Sequence, residues 1–260
     1  MKIYGEVYLD TVSKLAALGD AIVMSPIVHR LTREAEHLYL PCRISNYSTV
    51  GCLYQDYPNI TVVPYSDQSQ ITEFVSSKNL IKINLPDIVI TKMHLPGISV
   101  PVDVPIYWER QLYEHFDIPF STRYKEFKMP SAIPGTDQLY DLLTEGNQDY
   151  CLFHQQTFHH GPGKINIDLQ GWRAACGFPP LKIIEITPGI TDNLFQFAML
   201  IEKAKEIHCV CSSFFNLVDS MHDRTNARLF FHDIRADNLM MLNSKWNNYM
   251  WSTVSYEPKM

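Results

Sequence analysis

A chain of 260 residues with a hydrophobic share of 46% and a charged share of 19% can bury one large core or two smaller ones. Its formal net charge of −6 excludes a general nucleic-acid binder, whose footprint would be basic, yet leaves room for a local basic pocket. No apolar run reaches transmembrane length and Met1 to Glu6 lacks the apolar core of a signal peptide, so the sequence reads as a soluble cytoplasmic protein.

Residues 3–9 read as a first strand. The segment Leu18-Gly19-Asp20 then forms an expected glycine turn ahead of a helix over residues 21–34, where Val23, Ile27, Val28 and Leu31 share one face. Pro26 in its early part calls for a kink or a late start. Strands are expected at 37–41, 60–64 and 87–91, the last a near-continuous apolar run suited to a sheet covered on both faces. Helices are expected at 47–54, 68–76 and 105–115. The Pro- and Lys-bearing stretch 124–135 reads as a linker, which divides the chain into domains of residues 1–130 and 131–260.

The second half restarts the alternation. After a short helix at 136–144 come a strand at 150–154, a polar loop at 155–163 and a strand at 181–186. A helix over 193–206 has Leu194, Phe197, Ala198, Ile201 and Ala204 on one face and Asp192 as its N-cap. A strand at 207–211, a helix opened by Ser212-Ser213, a strand at 228–232 and a helix at 239–250 with Trp246 follow. Strand and helix alternating in this way imply an α/β fold of two Rossmann-like halves with a cleft between them. The six cysteines form no Cys-x-x-Cys pair and read as reduced and mostly buried; Cys209 and Cys211 alternate along one strand, as core packing or a metal pair.

Three polar segments fall at expected strand ends. Asp20 is either a helix cap or a general base. The loop His154-Gln155-Gln156-Thr157-Phe158-His159-His160-Gly161-Pro162-Gly163-Lys164 offers a hydroxyl at Thr157 and a charge at Lys164, as an anion-binding loop or a solvated one. Its histidines lack the acidic or thiol partners of a metal site. Ser212 and Ser213 either cap a helix or meet a phosphate at its start, with Asn216 one turn further on. No G-x-S-x-G, G-x-G-x-x-G or Walker lysine loop is present, which disfavours serine hydrolases and ordinary dinucleotide or ATP sites.

Together these segments resemble the GT-B glycosyltransferases, and within them the heptosyltransferases of lipopolysaccharide cores and related viral and bacterial glycosyltransferase-like proteins. Gly19, Asp20 and Pro26 match that family's G-D-x-x-x-x-x-P segment. His154, Thr157 and Lys164 resemble its second-domain loop, with a longer insert before the lysine. Cys211-Ser212-Ser213-Phe214-Phe215-Asn216-Leu217 occupies the place of D-T-G-x-x-H-L, with Cys211, Ser213 and Asn216 replacing Asp, Gly and His. The resemblance implies transfer of a sugar from a nucleotide-sugar to a hydroxyl of a glycan or glycolipid, without metal or other cofactor. Asp20 would be the base, and His154, Thr157, Lys164, Ser212, Ser213 and Asn216 the donor and phosphate site. No nucleic-acid partner is implied, and peripheral membrane contact stays open. Two other readings share the fold: a sugar-nucleotide epimerase, and a binding module that has lost the reaction.

Overall fold

The computed structural model describes residues 5–11, 17–86, 90–93, 102–105, 108–156, 167–233 and 251–255. The chain divides into two compact units, one of residues 1–90, 105–134 and 192–195, the other of residues 91–104, 135–191 and 196–260. Each described sheet of four or five strands is parallel, and the fold is α/β in two Rossmann-like halves, as expected.

In the first unit, β1 (Glu6–Asp10), α1 (Leu18–Leu31), β2 (His37–Arg43), α2 (Tyr47–Tyr54), β3 (Ile60–Tyr65), α3 (Gln68–Lys78) and β4 (Ile81–Asn84) build a sheet of order β3-β2-β1-β4. Alternation sets the two faces. Met24 and Val28 of α1, Val50 and Tyr54 of α2, and Leu40 and Cys42 of β2 line one small cavity. On the other face Tyr8 and Tyr65 pack on Ile71 and Val75 of α3. The fourth strand is not the apolar run expected at 87–91, of which residues 87–89 lie outside the described residues. It is Ile81-Lys82-Ile83-Asn84, an edge strand with only Ile83 buried, entered directly from α3 through the left-handed Asn79. An edge strand needs little apolar character, so hydropathy passes over it.

Two short strands, β5 (Ile90–Met93) and β6 (Val102–Pro105), form a separate two-stranded sheet. The helices α4 (Trp108–His115) and α5 (Thr122–Lys125) then return to α1. Arg30 grips Glu126 through both carboxylate oxygens, at 3.2 and 2.6 Å. Pro26 does not end α1, which runs through it. Its missing N–H leaves the helix short of a donor, and one residue along the buried Tyr113 hydroxyl donates to the Val23 carbonyl at 2.8 Å.

The second unit carries α6 (Thr136–Thr144), β7 (Tyr150–His154), α7 (Leu169–Ala175), β8 (Lys182–Glu185), α8 (Ala198–Lys203), β9 (Glu206–Cys209), α9 (Ser213–Ser220), β10 (Arg228–Asp233) and β11 (Trp251–Ser255). Its sheet has the order β11-β10-β9-β7-β8. The helix expected over 193–206 is shorter: a 3-10 turn at Leu194–Phe197 leads into α8, and Glu206 already belongs to β9. Asp192 is not its cap; the Asn193 side chain accepts the Phe195 N–H at 3.1 Å. Helical spacing of apolar residues continues into the strand, so periodicity overran the true end. The helix expected at 239–250, with Trp246, lies outside the described residues.

One face of this sheet buries a polar chain. Glu206 and His208, both fully buried, alternate on β9. Arg173 of α7 donates to both Glu206 oxygens, at 2.8 and 3.2 Å, and Arg228 also pairs with this carboxylate. His208 Nε2 lies 3.4 Å from Glu206 Oε2, and His208 Nδ1 lies 2.8 Å from His232 Nε2. A carboxylate only accepts, so the proton sits on His208 Nε2, and Nδ1 accepts from His232. Phe230 stacks on His208 at 4.5 Å and Trp172 meets both imidazoles edge-on. Burial pushes His208 down to about 4 and His232 to about 3.

Both rings are therefore neutral in the fold and would protonate near 6.5 once exposed, so the unfolded state binds more protons below that pH. Buried His29 and His154, also held below the usual imidazole range, act in the same direction. Asp20, raised to about 6, acts in the opposite one. The melting temperature is expected to fall progressively from pH 6.5 towards pH 4. A flat profile over that interval in thermal denaturation would contradict this charge assignment.

Candidate functional site

In a parallel sheet, ligands gather outside the carboxyl ends of strands, where the strand order reverses. In the second unit the chain moves from β7 outward to β8 and then back to β9 on the other side of β7. The reversal falls between β7 and β9. His154 is the last residue of β7, and Ser212 follows β9 by three residues. The Val210 N–H donates to the His154 carbonyl at 3.1 Å and continues the pairing of the two strands to that edge.

Ser212 starts α9. Its extended backbone and its Oγ, accepting the Phe215 N–H at 3.2 Å, make it the N-cap. Phe214, Phe215, Leu217 and Val218 bury the helix, while Ser213 and Asn216, three residues apart, share a partly exposed face. A helix start leaves N–H groups without intrahelical partners and carries a partial positive charge, which suits an anion. His154 is more tightly held than the sequence implied. Its Nδ1 donates to the Ile186 carbonyl at 2.8 Å, its ring lies 5.4 Å from Phe214, and burial lowers its pKa. Neutral and nine-tenths buried, His154 ties the end of β7 to the segment after β8 and packs under the start of α9. Thr157 and Lys164 lie outside the described residues.

In the first unit the reversal lies between β1 and β4, and α1 follows β1. Gly19 and Asp20 do not form the expected turn: they are the second and third residues of α1, and Gly19 is buried in right-handed helical conformation. The helix begins earlier than its apolar face, because its first turn needs only to satisfy backbone donors. Ala17, the N-cap, has no side-chain oxygen, so Asp20 reaches back and accepts the Ala17 N–H through Oδ2 at 3.2 Å. Burial nevertheless raises the Asp20 carboxyl to about 6. It is thus a cap whose carboxyl is held above the usual carboxylate range.

Sequence reading missed two features. Asp10 ends β1, nearly buried, bonded by Lys82 Nζ at 2.8 Å and by the Tyr8 hydroxyl at 3.2 Å. Cys151, Glu206 and His208 place thiol, carboxylate and imidazole atoms within 4.8 Å of one another. Two guanidiniums already balance the Glu206 charge, and they would repel a cation, so this cluster fits an ion-pair network better than a metal site. The Glu-x-His alternation in an apolar strand was the signal for it. Cys209 is core, with burial pushing its thiol well above the usual range, and Cys211 lies beyond the strand, partly exposed.

The chain shares its fold with a solved structure. The crystal structure of a glycosyl transferase of family 9 from Veillonella parvula aligns with 100% of this chain and 90% of its own, with a TM-score of 0.52 at 12% identity. At that identity the likeness is one of fold. No protein-family model matches the chain, and no curated protein matches it. Among the described residues no helix is long and apolar enough to cross a membrane.

Ser212→Ala removes the α9 cap and is expected to cost about 1 kcal/mol of stability in denaturant unfolding. No change would mean that the Oγ bond to Phe215 contributes nothing and that α9 starts on its apolar packing alone.

Proposed function

We propose that the protein is a glycosyltransferase that moves a sugar from a nucleotide-sugar to an acceptor hydroxyl of a glycan or glycolipid. One observation carries this reading: His154 with Ser212-Ser213 lies at the strand-order reversal of one parallel sheet, and Gly19-Asp20 opens the helix that follows β1 of the other, in a chain that shares its fold with a family 9 glycosyl transferase.

In this reading the second unit binds the donor. The N–H groups at the start of α9, the Ser213 hydroxyl and Lys164 meet the diphosphate, Asn216 lies beside it, Thr157 adds a hydroxyl, and His154 holds the strand ends in place. The first unit binds the acceptor. Asp20 takes the proton of the acceptor hydroxyl as the oxygen bonds to the anomeric carbon. The bond from that carbon to the diphosphate breaks, and its electron pair leaves with the diphosphate. Helix dipole and lysine stabilise the charge that develops there, without a metal ion. The absence of Asp and His at positions 211 and 216 and the engagement of Asp20 in a capping bond favour a second reading, a binding module that keeps the donor site and performs no transfer.

A panel of UDP-, GDP-, ADP- and CMP-sugars is expected to raise the melting temperature selectively, and EDTA to leave the shift intact. Asp20→Asn is expected to lower turnover by about 100-fold or more with donor affinity nearly unchanged. Turnover itself should rise with pH through about 6, since the base works ionised. Donor affinity falling in step with turnover would reassign Asp20 to capping. Donor binding with neither transfer nor donor hydrolysis would favour the binding module, and loss of binding in EDTA would refute metal independence.

A further inference from the structure

One pocket of the first unit has no part in the scheme above. Arg43, the last residue of β2, pairs in register with Tyr65, the last of β3. Beyond them the chain diverges, through Ile44 and Ser45 towards α2 and through Ser66 and Asp67 towards α3. The divergence leaves an open pocket of about 470 Å³ lined by these residues and Gln68. That volume lies within the range of small-ligand sites, and the pocket stands at the carboxyl ends of two neighbouring parallel strands.

We infer that this pocket is a subsite for an uncharged sugar residue of the acceptor, an inference that rests on the glycosyltransferase reading. A pyranose presents hydroxyls that donate and accept around its rim and C–H groups on its faces. The pocket offers the matching set. Asp67 accepts, Arg43 and Gln68 donate, and the Ser45 and Ser66 hydroxyls do both. One guanidinium and one carboxylate leave it without net charge, which suits a neutral sugar better than a phosphate. Its apolar wall is Ile44, 61% exposed, and Tyr47, 44% exposed, stands one turn further along. These are two of the four large hydrophobic side chains exposed among the described residues, the others being Ile81 and Leu142.

The polar wall is preorganised. Gln70 Oε1 accepts the N–H groups of Ser66 and Asp67, at 2.9 and 3.3 Å. Asp67 Oδ1 accepts from the Ser69 N–H and hydroxyl, at 2.8 and 2.5 Å, which also hold its carboxyl below the usual carboxylate range. Oδ2 takes no part in either bond. A loop fixed in this way loses little conformational entropy when a ligand arrives.

The test uses four probes, the methyl glycosides of glucose, galactose, mannose and N-acetylglucosamine, in saturation-transfer NMR with the full chain. The variants are Arg43→Ala and Asp67→Asn, the latter keeping a good helix cap so that the loop still folds. Binding of at least one glycoside to the wild type, weakened tenfold or more in Arg43→Ala, supports the subsite. No transfer to any of the four, or equal binding by wild type and both variants, overturns it. Nucleoside-diphosphate binding, measured on the same samples, is expected to be unchanged in both variants. A wild type that binds a glycoside at this pocket but no nucleoside diphosphate would keep the sugar subsite and contradict glycosyl transfer.

Discussion

A parallel sheet forces each connection to cross one of its faces, and the right-handedness of those crossings ties the face to the direction in which the sheet grows. Where growth reverses, successive helices cover opposite faces, and two neighbouring strand ends are left with nothing packed over them. In the second unit α7 covers the Cys151 and Phe153 face, whereas α9 covers the face of Phe231 and Trp251. The polar residues beside this edge are His154, buried under the start of α9, and Ser212, Ser213 and Asn216, which are partly exposed.

The sheet of the second unit is held by interactions that sequence inspection does not weigh. The Glu206, His208 and His232 chain runs across β9 and β10 under Trp172. An uncompensated carboxylate in such a place would cost several kcal/mol, and Arg173 and Arg228 offset that cost. His154 works similarly on the other face, where its bond to Ile186 joins the end of β7 to the segment after β8. Each of these histidines is neutral and hydrogen-bonded, which fixes its ring within the sheet. In the first unit Tyr113 and Arg30 anchor the returning helices to α1, which carries Asp20.

Much of this was legible where local signals agree. The helix at Tyr47–Tyr54, the helix at Thr136–Thr144 and the strand at Tyr150–His154 stand at their expected bounds, because apolar spacing and flanking polar residues point the same way. Errors came where one signal ran alone. Apolar spacing carried the 193–206 helix through Ala204, whose extended backbone ends it before β9. A glycine was read as a turn at residue 19, yet a buried glycine in a helix's first turn leaves the same trace in sequence. The edge strand Ile81–Asn84 and α7 were missed, the first because it is half exposed and the second because a seven-residue helix shows barely two turns of pattern. Of the residues proposed for the donor site, His154 ends β7 and Ser212, Ser213 and Asn216 open α9 after the neighbouring β9. The Arg43 pocket had no sequence signal, since its residues come from two strands joined only by register.

The central claim is that the nucleotide part of a donor meets the β7 and β9 edge of the second unit. Backbone amide chemical shifts recorded during titration with UDP, GDP, ADP and CMP test it most directly. The account predicts that at least one nucleotide shifts Ser213, Phe214 and Gln155 while the amides of β11 and α6 stay in place. Shifts confined to other surfaces, or none with any of the four, would contradict it.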